Sequence, residues 1–211
     1  RAWAARPFLF SGCLDSRVAA AVISLVLLAS RALQSPREAG GSQPRPRLLD
    51  ACCGSGTMAA VAASLGFFGA VTAVDVDAGS VARVPENFAH MGLGSSVEVI
   101  VHDATQPFPA DLRAAKPEVV VSNPPWGWRL KAKTPGAARL AGDAAPATEE
   151  DVTSRIVINL LDEFPSACVA LVCPELPPQE DLVARGFGIH HQCPLGQSAV
   201  WVLTPLLADK G

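Results

Sequence analysis

The chain has 211 residues, 49% of them hydrophobic and 18% charged, with 17 Lys and Arg against 20 Asp and Glu and a formal net charge of −3. That length makes one large domain or at most two small ones, and the apolar fraction excludes a wholly disordered chain. The acidic balance excludes a strongly basic domain that holds nucleic acid by bulk electrostatics.

The first patterned stretch is Val18–Ala29 (VAAAVISLVLLA). It is shorter than the roughly 20 apolar residues of a membrane span, and Asp15 and Arg17 stand directly against it, unlike a secretory leader. It predicts a buried helix, capped by Asp15 or Ser16 and stopped by Ser35-Pro36, with no membrane segment. Ser35–Pro46 (SPREAGGSQPRP) reads as a flexible connector. One domain is expected overall: a lead-in segment and helix over 1–34, the connector over 35–46, and a core over 47–211.

Within the core, Arg47–Ala51 is a short apolar run containing a carboxylate, followed by the turn Cys52-Cys53-Gly54-Ser55-Gly56 and an Ala-rich helix over Thr57–Leu65. Ala70–Val76 is strand-like. A helix follows to His90-Met91, with Gly92 as its stop and a fresh start at Pro85, since an interior proline costs a helix about 3 kcal/mol. Val97–His102 and Glu118–Ser122 are the next strands. Lys131–Ala147 reads as a loop, Glu149–Glu163 as a helix and Ala167–Cys173 as a strand. Phe187–Gln192 and Ala199–Thr204 form a terminal antiparallel pair separated by residues 193–198. Strands that are apolar throughout and alternate with helices indicate an α/β, mainly parallel sheet covered on both faces. The six cysteines contain no Cys-x-x-Cys pair; reduced, mostly buried thiols are expected, and with them an intracellular setting, cytoplasmic or organellar.

Ligands of such sheets bind beyond the C-terminal strand ends, where Asp50, Asp75, Asp103 and Asn123 fall in succession. Gly54 and Gly56 permit a tight turn and close backbone approach. The pattern is neither the Gly-x-Gly-x-x-Gly dinucleotide fingerprint, because residue 59 is Ala, nor a phosphate loop. Asp75 suits the two hydroxyls of a ribose, Asp77 is a helix cap, and Asp103 suits an adenine amino group or forms a turn. Asn123-Pro124-Pro125-Trp126 is the most specific element. Its two prolines fix an extended backbone and remove two N–H donors, which leaves acceptors for an exocyclic amine beside an indole on which a base can stack.

DACCGSG, VDVD, HDA and NPPW, in this order and spacing, resemble the class I S-adenosylmethionine-dependent methyltransferases, and within them the amino-methylating group whose fourth motif is Asn/Asp-Pro-Pro-aromatic. Arg6–Asp15, with Gly-Ser-Gly-Thr and Pro-Pro-Trp-Gly, is similar to the THUMP-associated RNA guanine-N2 methyltransferases. The resemblance implies a Rossmann-like three-layer sandwich with a seven-stranded sheet whose last strand is antiparallel. It implies S-adenosylmethionine as cofactor, with Asp50, Cys53, Gly54 and Gly56 at its methionine end, Asp75 on the ribose and Asp103 on the adenine. Asn123, also against the cofactor, and Pro124 would orient the target nitrogen, with Trp126 stacked on the base. No metal is implied, because a sulfonium already activates its methyl group.

The substrate so implied is RNA (tRNA or rRNA), with an RNA-binding module or partner protein outside this chain. The only local basic cluster is Arg129, Lys131, Lys133 and Arg139. Two alternatives stand beside this reading. One is an amino-methyltransferase of DNA or of a protein glutamine, although the release-factor enzymes usually carry Tyr where this chain has Trp126. The other is a non-catalytic subunit that keeps the fold.

Overall fold

Apolar side chains at consecutive positions of short strands require cover on both sides, and the sheet has it. The computed structural model describes residues 3, 5–9, 13–33, 44–126 and 149–206. Among them, seven strands make one sheet: β1 (Arg47–Asp50), β2 (Ala70–Asp75), β3 (Glu98–Val101), β4 (Val119–Ser122), β5 (Cys168–Cys173), β6 (Phe187–Leu195) and β7 (Ser198–Pro205). Their order is β3-β2-β1-β4-β5-β7-β6. The β1–β5 pairings are parallel, and β7 runs antiparallel between β5 and β6. The helices are α1 (Ser16–Leu33), α2 (Thr57–Leu65), α3 (Ala78–His90), α4 (Ala110–Ala114), α5 (Glu149–Glu163) and α6 (Gln179–Ala184).

Alternate strand residues feed two separate cores, as the period of two demands. Leu48, Val119, Val121, Ala170 and Val172 pack on one face with Ile23 and Val26 of α1, Ala59 of α2 and Phe88 of α3. Leu49, Val120, Val169 and Leu171 pack on the other with Leu112 of α4, Leu160 of α5 and Leu182 of α6. The result is a Rossmann-like three-layer sandwich. Helix α1 is apolar and long enough for a span by composition, and it lays Ala19, Val22, Ile23, Val26 and Leu27 into the first core. Asp15 caps it, accepting the Arg17 backbone N–H at 2.8 Å.

Three local expectations change. First, α3 runs unbroken through Pro85. The proline withdraws one N–H, from the Val81 carbonyl, while Val84 and Phe88 on the neighbouring turns are fully buried and hold the helix together. Second, residues 193–195 and 198 belong to strands, not to a loop. Leu195 pairs with Ser198, so the turn is only Gly196-Gln197, with Gly196 at φ 61°. Pro194 is tolerated because β6 is an edge strand. Third, α4 and α6 are additions of five and six residues, too short to announce themselves as a helical period. Residues 35–43 of the connector, the 131–147 stretch and its basic cluster lie outside the described residues.

Candidate functional site

Asp50 closes the interior strand β1 and is completely buried. Its Oδ2 accepts the Ala59 N–H at 3.0 Å, in the first turn of α2, whereas Oδ1 has no hydrogen-bond partner among the described residues. Burial raises the Asp50 carboxyl to about 7, and nearby Asp75 adds to the rise. Burial likewise pushes the Cys52 thiol up, with further contributions from Asp75, Asp50 and Asp103, so three carboxylates converge around one turn. No Lys or Arg among the described residues pairs with any of the three.

The raised Asp50 carboxyl makes a prediction about stability. In the unfolded chain it ionises near its ordinary value of roughly 4, while the folded chain holds the proton up to about 7. The folded state therefore binds more protons between these values, and its stability falls as pH rises through that window. The full effect is on the order of 4 kcal/mol for a shift of this size. Urea unfolding of the ligand-free protein at pH 5 and pH 8 should show about 2–3 kcal/mol of it, the part lost above pH 5, and Asp50→Asn should flatten the dependence. Equal slopes in both proteins would assign the dependence elsewhere.

Asp75, at the end of β2, is already employed by the backbone. Its Oδ2 accepts the Gly54 N–H at 2.7 Å and its Oδ1 the Asp77 N–H at 2.9 Å. It thereby holds the loop after β1 against the loop after β2, helped by the Cys53 N–H donating to Val74 O at 2.8 Å. Cys53 is buried at this junction. Asp77 caps α3, accepting from the Gly79 N–H and the Ser80 hydroxyl. Gly56 sits at φ 77°, and a Cβ placed there would lie 2.8 Å from the Phe88 ring and 2.9 Å from Val84 Cγ1. Its bareness thus serves the packing of this loop on α3. Asp103 forms a turn, its Oδ1 accepting both the N–H and the hydroxyl of Thr105.

The fourth strand end carries Asn123, whose Oδ1 accepts the Trp126 Nε1–H at 3.3 Å. An indole N–H only donates, so this contact fixes which way the Asn123 amide faces. Pro124 is buried, and Trp126 is half-buried against the second core. The turn is tied to α5, where the Thr153 hydroxyl donates to Pro125 O at 2.8 Å. Two turns along the same helix, Asn159 Nδ2 donates to Ala104 O and Gln106 O, holding the loop that contains Asp103. Neither residue was foreseen, because a single Thr or Asn on a half-exposed helix gives no periodic signal.

Two more supporting residues, Arg6 and Asn87, escaped notice. Asn87 did leave a trace: it shares the spacing of Val84 and Phe88, and is as buried as they are. The site residues from β1, β2, β3 and β4 thus meet at one sheet edge. A set of acceptors with three carboxylates, one bearing a buried oxygen without a hydrogen-bond partner, and with no Lys or Arg paired to them among the described residues, fits a positively charged ligand that brings its own N–H and O–H donors. S-adenosylmethionine, with a sulfonium, an ammonium, a ribose and an adenine amine, has that donor set.

Similarity to known proteins agrees with this geometry. A family described as Conserved hypothetical protein 95 matches residues 38–140, just under half of the chain. No curated protein matches in sequence. Among solved structures, TrmN from Thermus thermophilus superposes with a TM-score of 0.55 and 22% identity over 93% of this chain, which spans only 50% of TrmN. A candidate RNA methyltransferase from Pyrococcus horikoshii gives 0.59 and 15%, covering 98% of this chain and 97% of that one. A SAM-dependent O-methyltransferase from Thermotoga maritima gives 0.57 and 12%, over 96% and 69%. The chain therefore shares the fold of these solved methyltransferase structures. These neighbours include an O-methyltransferase, so the fold leaves the acceptor atom open.

Proposed function

We propose that the chain transfers a methyl group from S-adenosylmethionine to an exocyclic amine of an RNA base, with guanine N2 of tRNA or rRNA as the favoured target. The observation that carries the reading is Asn123-Pro124-Pro125-Trp126 at the end of β4, one strand away from Asp50 in the sheet. An aromatic amine is a weak nucleophile because its lone pair is delocalised into the ring. The Asn123 Oδ1 and the Pro124 carbonyl would accept its two N–H groups, favour a pyramidal nitrogen and aim its lone pair. Trp126 would hold the base by stacking, worth roughly 1–3 kcal/mol. The residues then act by orientation and electrostatics, without a covalent intermediate on the protein.

When bound, S-adenosylmethionine supplies a methyl group activated by its sulfonium. Asp50, Cys53, Gly54 and Gly56 would hold its methionine end, Asp75 the ribose and Asp103 the adenine amine. An RNA-binding module or partner outside residues 1–211 would select the RNA, since the chain is acidic overall.

Calorimetric titration with S-adenosylmethionine tests this first. Micromolar binding by the wild-type chain, lost in Asp75→Ala, is the expected outcome, followed by methyl transfer to RNA. A folded wild-type chain that binds no S-adenosylmethionine would overturn the enzyme reading.

A further inference from the structure

The lead-in segment before α1 does more than start the chain. Arg6 is only 8% exposed, yet no carboxylate among the described residues pairs with it. Its Nη1 donates to Thr57 Oγ1 at 2.9 Å and its Nε to Trp3 O at 3.0 Å, with the guanidinium 5.4 Å from the centre of the Trp3 ring. Thr57 Oγ1 lies 3.3 Å from Ser55 Oγ, which also receives the Cys13 thiol at 3.0 Å. From the other side, Asn87 Nδ2 donates to Ser55 O at 2.9 Å and to Phe8 O at 2.7 Å, and its Oδ1 accepts the Phe8 N–H at 2.9 Å. Both donors and the acceptor of this fully buried amide are therefore spent on the lead-in segment and one loop residue.

Ser55 is the middle of Gly54-Ser55-Gly56, held between two glycines at φ 54° and 77°. Glycines release the backbone, so something else must choose its conformation. Asp75 fixes the loop at Gly54, and the Arg6–Thr57 and Asn87 contacts fix it at Ser55. Burying an arginine among neutral partners is costly and is offset only by the hydrogen bonds it makes, so those to Trp3 O and Thr57 Oγ1 hold the segment and the loop in one geometry.

Resting on the proposed function, we propose that Arg6 and Asn87 are positioning residues that clamp the cofactor loop through Thr57 and Ser55, which makes the lead-in segment a working part of the cofactor site. Neither side chain is assigned a contact with cofactor or substrate; both act through the loop.

The test uses the full chain and two variants, Arg6→Met, which keeps the apolar stem, and Asn87→Ala. Each is compared with wild type for thermal midpoint, dissociation constant for S-adenosylmethionine, the split between KM and kcat, and hydrogen exchange of the Gly56 amide. Folded Arg6→Met should bind S-adenosylmethionine about tenfold more weakly, as expected for losing hydrogen bonds from a charged group. Its Gly56 exchange should be faster and its kcat at saturating cofactor close to wild type. Arg6→Lys, which restores a charged donor, should recover part of the affinity.

If Asn87→Ala fails to fold, Arg6→Met alone decides the matter. A folded Arg6→Met with wild-type affinity and exchange, however lowered its thermal midpoint, would make the network merely structural and overturn the clamp. A wild-type chain that binds no S-adenosylmethionine would overturn the proposed function, and the clamp with it.

Discussion

Asn123→Ala is expected to lower methyl transfer at saturating cofactor by about a hundredfold or more, the scale seen when one preorganised hydrogen-bonding group is removed from a reacting centre, and to leave cofactor affinity nearly intact. The separation follows from where the residues sit. Asn123 lies at the end of β4, whereas the contacts that shape the cofactor loop come from Asp50, Asp75 and Asn87. Alanine also removes the Asn123 acceptor of the Trp126 indole N–H, so a shift of the ring contributes to the loss. Asn123→Asp separates the two effects: it keeps an oxygen facing both the indole and an incoming amine, and should retain far more activity than alanine. Single-turnover transfer beside calorimetric binding measures both quantities. Loss of binding and transfer in equal measure would remove Asn123 from this role.

Gly56→Ala should be the most damaging single change to the cofactor loop. At φ 77° a side chain meets left-handed strain of roughly 1–2 kcal/mol. The added methyl would also sit 2.8 Å from two atoms of Phe88 and 2.9 Å from Val84, and overpacking of this kind costs typically about 1–3 kcal/mol. Phe88 cannot yield easily, because it is fully buried in the first core. The loop must move instead, carrying Ser55 and Gly54 away from Asn87 and Asp75. Denaturant unfolding should show a loss of about 2–5 kcal/mol, with cofactor binding abolished even where the variant remains folded. A variant with wild-type stability would mean that the loop and α3 are not packed as described.

The elements that could be read from the sequence are those whose environment imposes a pattern. Val119–Val121 and Cys168–Cys173 are apolar without interruption because both of their faces are covered. The polar residue that ends each of β1, β2 and β4 marks the change from core to ligand edge. Other features carried no such mark. The length of the β6–β7 hairpin was hidden because Cys193-Pro194-Leu195 has the composition of a turn, and only an edge position lets proline remain in a strand. Pro85 misled for the opposite reason: a local propensity was overruled by the burial of Val84 and Phe88. Arg6 and Asn87 make contacts between segments 51 and 79 residues apart, respectively, and no local spacing encodes such a meeting. Asp75 was legible as a strand-end carboxylate, while its grip on the Gly54 and Asp77 amides was visible only in three dimensions.

Helix α5 has a further consequence. Its Thr153 anchors the turn after β4, its Asn159 anchors the loop after β3, and Phe164 at its end packs edge-on to Phe108, 5.1 Å between ring centres. One helix therefore holds both loops, each through its own side chain. Fraying α5 would release both together, and docking it would set both together. The order of the turn at Asn123 and of the loop at Asp103 should therefore rise and fall together, a coupling that hydrogen exchange of the two loops would read.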